Sequence, residues 1–500
     1  MAQQERPSLG DDTVNRRKYL AFLSGGATVA LAGCTGGGGG DGGGGDGGDG
    51  GGDGADGGDG GSDGGDGEDG GSESTPIHIV TDYASEEWQT KWEDELIPNF
   101  EEETGHETNL EYIGIGTSAE NRFATLIQSG DYPELHTQNF YAISDLYAQG
   151  LLASVGETNS AIEETAGDIF VPLFQNQNGE PMGVPHGYYT LTFIYRQDIY
   201  DQLELSVPTT WDELLSNAQT IHESDEVDTT GIAVPAAQND YAKRFVRMLY
   251  RLAGGRLFEY DDDGNIQVAF PQEPAVETLE FMEEAMQYSP DPSSVNWGSA
   301  IEYWANGRTA HLLHLNGWPI GASAGNPAIV EGSDVALPPT NGTPIEELSL
   351  RTMFQLPEYW FVFDAAPETE NAKTFLEWMY GTSLEQTISL YAQEPLRFLP
   401  AYEDVMGASA YEEIQVFQDF PSTLEINRKI QNEIVPAYEG PEEDQIPYNG
   451  AVAYSERTNV MGQMANEYLV VGEDADTVYQ EARTRFEELL AEGKEAIENN

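Results

Sequence analysis

Between Thr35 and Thr75 the chain is built almost entirely of glycine and aspartate. Such a stretch has no large apolar side chains to offset the entropy of ordering a backbone. Glycine keeps it flexible, and the repeated carboxylates swell it by self-repulsion. It divides the sequence into a leader over 1–34, a disordered linker over 35–75 and a body from residue 76 to Asn500. Calcium-binding β-helix repeats need an apolar residue in every unit. This tract lacks them, so its aspartates predict a tether and not a metal site.

The leader has the order of an export signal: charge, a short apolar run, then small residues. Arg16-Arg17-Lys18 precedes Tyr19–Ala32, which Ser24, Gly25 and Gly26 weaken. That run is well short of the ~20 apolar residues of a spanning helix. Asn15-Arg16-Arg17-Lys18-Tyr19-Leu20 resembles the twin-arginine motif, with Asn15 and Tyr19 in place of its commonest residues. Leu31-Ala32-Gly33-Cys34 resembles a lipobox, whose cysteine becomes the lipidated first residue of the mature chain. The resemblance implies that Arg16 and Arg17 are read for export. It also implies that Cys34 anchors the protein to the outer face of the cell membrane. Cys34 is the sole cysteine, which excludes a disulfide framework and a zinc ribbon.

The net charge is −66, from 88 acidic and 22 basic residues. After residue 75 there remain 74 acids against 18 bases, so the body carries most of it. A surface of this sign repels nucleic acid and anionic lipid. It resembles the surfaces of halophilic proteins, in which concentrated salt screens charge to within about 3 Å at 1 M.

The body alternates short apolar strands with amphipathic helices. Ile77–Val80 predicts a strand, and Trp88, Trp92, Leu96 and Phe100 at four-residue spacing predict a helix that Thr104-Gly105 stops. A further strand holds Leu110 and Tyr112, and a helix spans 119–129. Leu191, Phe193 and Tyr195 alternate as a strand. Thr210 and Glu213 form a capping box. Helices are expected over 240–254, 275–288, 299–305, 372–380 and 476–490, with strands at 311–315 and 361–363. This order predicts an α/β fold with parallel βαβ units.

Several segments together resemble the extracellular solute-binding proteins of ABC sugar importers, the group that includes maltose-binding protein. They are Ser129-Gly130-Asp131-Tyr132-Pro133-Glu134-Leu135, Gly183-Val184-Pro185, Pro208-Thr209-Thr210-Trp211-Asp212-Glu213-Leu214, Trp304-Ala305-Asn306-Gly307-Arg308 and Asn316-Gly317-Trp318-Pro319. Glu134 and Arg196 depart from the family's usual Asp and Asn. The resemblance implies a two-lobed, periplasmic-binding-protein-like α/β fold, each lobe a sheet flanked by helices, with ligand in the cleft between them. Lobe one is expected over 76–188 plus 352–385, and lobe two over 192–346 plus 394–500. It further implies a carbohydrate ligand, a membrane permease with a cytoplasmic ATPase as partner, hinge closure as the working motion, no cofactor and no catalysis.

Sugar recognition needs flat rings for C–H faces and polar side chains for hydroxyls. Loops after strands are where open α/β sheets bind ligands. Candidates on that ground are Tyr83, which otherwise packs over the following helix, and Asn139, otherwise a turn residue. Tyr188 and Tyr189 lie at the first expected crossing, and otherwise pack between lobes. Asn239 and Asp240 precede a helix that either can cap. Trp297 is expected in a loop as a stacking surface, whereas Trp304 resembles a core aromatic. Asn316 and Trp318 belong to the segment implied to line the cleft. Tyr359 and Trp360 alternate, so one of them should face it.

Enzymatic signatures are missing from the sequence: no HExxH, GxSxG, P-loop or dinucleotide fingerprint occurs. His311 and His314 fall on a predicted strand, where a spacing of three places them on opposite faces. The alternatives to a carbohydrate carrier are a binder of a polyol, polyamine or peptide, a sensory binding protein, and a secreted glycosidase. The last needs two carboxylates facing one another across a cleft.

Overall fold

Ile77, Ile79 and Val80 are buried, and they open the fold as strand β1 (Ile77–Thr81). The computed structural model describes residues 75–498, apart from 84, 114–116, 140–145, 148, 177, 262, 324, 349–355, 435–450 and 453–457. Arg16, Arg17, Cys34 and the glycine–aspartate tract lie outside the described residues.

After β1 the Ser85 hydroxyl caps the helix Glu86–Lys91 by accepting from the Trp88 amide. The helix runs on through a wider π turn, Trp92–Leu96, into Ile97–Thr104. Trp88, Trp92, Leu96 and Phe100 are all buried, as their spacing requires. Gly105 ends the helix at φ 75°, a conformation that costs other residues strain.

Two sheets organise the chain. In the first, β2 (Thr108–Tyr112), β1, β3 (Leu135–Asn139), β11 (Leu356–Val362) and β4 (Val184–Tyr189) lie in that order. In the second the order is β10 (Ser333–Ala336), β5 (Leu191–Arg196), β9 (Thr309–Leu315) and β6 (Thr230–Ile232). A separate hairpin joins β7 (Phe258–Tyr260) and β8 (Ile266–Val268).

The expected parallel pairing holds only in part. β1 is parallel to β2 and β3, and β6 to β9, but β11 and β5 run antiparallel to both their neighbours. The cause is the crossing between sheets. β4 and β5 are separated by Thr190 alone yet belong to different sheets. Strands that arrive from the other sheet enter against the direction set by local βαβ units.

The capping box is formed. The Thr210 hydroxyl accepts from the Glu213 amide at 3.3 Å, and the Glu213 carboxylate accepts from the Thr210 amide at 3.2 Å. It starts the helix Trp211–Glu223, which packs on β6.

The C-terminal segment returns to the first sheet before it reaches the second. Leu399 pairs with Tyr188, and the Tyr402 hydroxyl donates to the Pro185 carbonyl at 2.8 Å. Leu399 and Tyr402 are thus against the first sheet, while Arg397, between them and the helix before, reaches Trp318 beside the second. By Ser422, which bonds Asp334, and Asn427, which bonds Asn316, the chain has joined the second. The helices Val460–Asn466 and Ala475–Glu498 then pack with Asp240–Leu252 and Gln272–Ala285.

Candidate functional site

The end of β1 delivers Asp82 and Tyr83 to a buried polar cluster. The Thr81 hydroxyl accepts from the Tyr83 amide at 3.1 Å, which fixes the turn. The Thr137 hydroxyl on β3 donates to Asp82 at 3.2 Å. Tyr83 stacks on Trp88, with centroids 5.3 Å apart, and meets the His186 ring at 4.5 Å. Its hydroxyl points to Glu358 of β11 at 3.4 Å. Tyr189 hydrogen-bonds the same carboxyl.

Arg397 closes this cluster. It follows the helix Leu384–Tyr391 and is 5% exposed. One terminal nitrogen donates to Glu394 at 3.0 Å, the other to Asp82 at 3.3 Å. Glu394 also accepts from the Trp88 indole at 2.9 Å. The guanidinium lies 4.8 Å from the Phe398 ring, 5.0 Å from Trp318 and 5.5 Å from Tyr83.

The electrostatics follow from burying three carboxyls round one cation. Burial, then the neighbouring Asp82 charge, pushes the Glu358 carboxyl up to about 7. Burial also raises Asp82, against the pull of Arg397. For Arg397 burial disfavours the charge, but Glu394 and then Tyr189, Asp82 and Glu358 outweigh it and raise its pKa. The His186 ring, held by Tyr380 at 2.5 Å, is driven down to about 3 by burial and stays neutral.

The second sheet meets this cluster through a run of rings. Trp318 begins the short helical turn after β9, and its neighbours on the far side are His314 at 5.9 Å and then Trp297, 5.0 Å from His314. Tyr241 is 4.7 Å beyond Trp297. Asp240 accepts from the Trp297 indole at 3.1 Å and from Lys243 and Arg244 at 2.9 Å. Burial opposes the Asp240 charge, yet Arg244 and Lys243 hold the group far below the usual carboxylate range. Both ring nitrogens of His314 are buried without a hydrogen-bond partner, and burial keeps the ring neutral with a pKa of about 3. The aromatic run therefore passes from Tyr241 through Trp318 and Arg397 to Tyr83 and Trp88, joining both sheets.

Of the sequence candidates, Tyr83, Tyr189, Asp240, Trp297 and Trp318 fall in or beside this run. Asn316 is next to it, at the crossing. Its amide donates to the Thr190 carbonyl at 2.5 Å, and its carbonyl accepts from Thr192 at 2.8 Å. Asn239 is the helix cap: its amide group accepts from Ala242 and donates to the Val295 carbonyl, each at 2.9 Å. Tyr188 faces the other side of β4, against Phe170. Tyr359 is turned away, its hydroxyl on the Pro172 carbonyl at 2.5 Å. Trp360 lies under the cluster, wedged against Tyr83 and Trp92 with its indole on Tyr380 at 3.0 Å. Both are fully buried, as Tyr83 is too, and both are committed to hydrogen bonds of the core. Asn139 pairs with Glu358 in register, and its side chain lies outside the described residues.

Trp297 requires a correction. It is not in a loop: it is the first residue of the helix Trp297–Ala305, which Asn296 caps. Trp304 is core, as its resemblance implied. His311 and His314 do face opposite ways, His311 meeting the Tyr200 hydroxyl at 2.8 Å and His314 the site. Asp82, Trp88, Glu358, Glu394 and Arg397 were missed. Asp82 had a sequence signal, since it follows a predicted strand directly. The others reach the site through tertiary packing.

Among the described residues, Glu467, Glu473 and Glu481 bring carboxylate oxygens within 4.8 Å of one another, at the surface and far from these rings in sequence. No described helix is long and apolar enough to cross a membrane.

Two mixed sheets, joined at Thr190 and meeting across aromatic and charged side chains, define a two-lobed, periplasmic-binding-protein-like α/β fold. Residues 83–384 match the model of the bacterial extracellular solute-binding protein family, and the chain belongs to that family. It is a solute-binding protein and not an enzyme. A search among curated proteins finds no match. Solved structures agree on the fold. A solute-binding protein of an ABC transporter from Thermotoga lettingae, bound to α-D-tagatose, is 19% identical with TM-score 0.63, covering 84% of this chain and 100% of its own. The GacH receptor of Streptomyces glaucescens, solved unliganded and with acarbose, is 16% identical with TM-score 0.63, covering 84% and 99%. The Thermus thermophilus maltotriose-binding protein is 16% identical with TM-score 0.61, covering 82% and 99%.

Proposed function

We propose that this protein captures a neutral carbohydrate outside the cell and delivers it to the permease of an ABC importer driven by a cytoplasmic ATPase. The observation that carries the reading is the aromatic run from Trp297 to Tyr83, interrupted by hydrogen-bonding groups and supplied by both sheets. Flat rings beside Asp82, Glu358, Glu394 and Arg397 suit a ligand with apolar faces and hydroxyl edges. The sugars held by the similar structures support the same class. A polyamine fits less well, because Arg397 already occupies the cationic place between the carboxylates.

In this proposal lobe one comprises 76–189 with 356–402, and lobe two 191–336 with 421–498. The twin-arginine signal exports the chain, and Cys34 holds it by a lipid on the membrane's outer face. The glycine–aspartate tract is the leash to the permease, and the acidic surface suits concentrated salt. Cys34→Ser should release the protein into the medium; a variant that stays with the membrane fraction removes the lipid anchor.

The functional test is a thermal-shift screen in molar potassium chloride with tagatose, maltotriose, acarbose, mannitol and spermidine. A ligand at 100 times its dissociation constant stabilises the fold by roughly 2.7 kcal/mol. At least one carbohydrate should raise the melting temperature and spermidine should not. A shift with spermidine alone contradicts the reading.

A further inference from the structure

Arg397 holds a buried donor that the protein does not satisfy. Its terminal nitrogens are engaged by Glu394 and Asp82, but its Nε–H has no acceptor although the side chain is 5% exposed. A buried donor without a partner bears its full desolvation cost, more so on a charged group. Such groups are few in folded proteins and call for a specific reason.

The surroundings show that the guanidinium is placed and not merely tolerated. Two carboxylates fix it in its plane. Rings of Phe398, Trp318 and Tyr83 stand round it at 4.8, 5.0 and 5.5 Å. Asp82 and Tyr83 come from the end of β1, Trp318 from the turn after β9, and Glu394 and Phe398 from its own segment. Side chains from both sheets thus converge on one planar group whose remaining donor is unspent. Trp318, the half-buried ring of the three, is also one on which the carbohydrate reading relies.

We propose that Arg397 is the specificity-determining residue of the site, its Nε–H donating to a hydroxyl oxygen of the bound sugar. The inference rests on the carbohydrate reading. It selects for ligands that present a lone pair at that place. A protonated amine has none to offer and brings a like charge. A site built to bond a hydroxyl discriminates strongly against analogues that lack it, because its own group is then left unpaired. Lysine at this position keeps the charge that balances Asp82 and Glu394. It cannot reproduce the planar fork, in which Nε–H points a fixed way while the other two nitrogens are held.

The experiment is calorimetric titration of the wild-type protein and Arg397→Lys, in molar potassium chloride, with tagatose, maltotriose, mannitol and spermidine. The wild type should bind at least one of the three carbohydrates. Arg397→Lys, still melting cooperatively, should bind the same one at least tenfold more weakly. Equal affinity overturns the inference while leaving the carbohydrate reading in place. Should Arg397→Lys fail to fold, monodeoxy derivatives of the carbohydrate that binds decide the matter on the wild type. One of them should lose at least tenfold, and equal affinity for all overturns the inference. Spermidine binding more tightly than every carbohydrate also overturns it. No carbohydrate binding by the wild type removes the underlying reading and this inference with it.

Discussion

Replacing Trp318 with alanine lowers carbohydrate affinity roughly fivefold, while the unliganded protein still folds. Trp318 is half-buried, sits beside His314, and has the Arg397 guanidinium 5.0 Å from its ring. Losing the ring removes a stacking face worth on the order of 1 kcal/mol, by analogy with other aromatic contacts. It also frees one side of Arg397, a cation–π contact worth about 0.5–2 kcal/mol. The Arg397 contact is present with or without ligand and so bears on stability; the stacking face alone, against about 1.4 kcal/mol for a factor of ten, gives roughly fivefold in affinity. The core should survive because the strand beneath, β9, is buried independently along its whole length. Calorimetric titration checks this, and wild-type affinity in the variant would remove Trp318 from the site.

Gly231→Ala destabilises the fold by about 2–3 kcal/mol, at the upper end of what overpacking costs. A Cβ on Gly231 would stand 2.5 Å from the Ala218 carbonyl oxygen, 2.7 Å from the Ala218 Cβ and 2.8 Å from its Cα. None of these atoms can rotate away, so the helix Trp211–Glu223 has to lift from β6. Leu214, Ala218 and Ile221, all with no exposed surface, would lift with it. In urea the unfolding midpoint should fall with an unchanged slope. An unaltered midpoint would mean that the helix does not approach the strand as closely as described. Gly231 lies beside the start of β9, where Thr230 pairs with Thr309 and Ile232 with His311, whereas Trp318 follows its other end, so this variant should retain its ligand while folded.

The local elements were readable because local rules decide them. The Trp88–Phe100 spacing, the Gly105 stop and the Thr210–Glu213 box each depend on neighbours within a few residues. Sheet direction was read less well. Whether β11 runs with or against β3 depends on a chain that leaves for the second sheet and returns. Trp297 was misplaced because Gly298 suggested a loop, whereas the Asn296 cap overrode it. In the candidate site, Tyr83 was named from its position after a strand and Trp318 from a family-like segment, and the structure places both rings beside Arg397. Alternation alone did not show that Tyr359 and Trp360 are both committed to core hydrogen bonds. Arg397 could not be found at all. Its importance lies in Asp82 and Trp318, which are respectively 315 and 79 positions away in the chain. No pattern of neighbours encodes such a meeting.

The most direct measurement is a crystal structure with the carbohydrate that shifts the melting temperature most. The sugar should lie between the two sheets, one face on Trp318, with a hydroxyl oxygen within hydrogen-bonding distance of the Arg397 Nε. Sugar bound elsewhere, with Trp318 and Arg397 untouched, would contradict this placement.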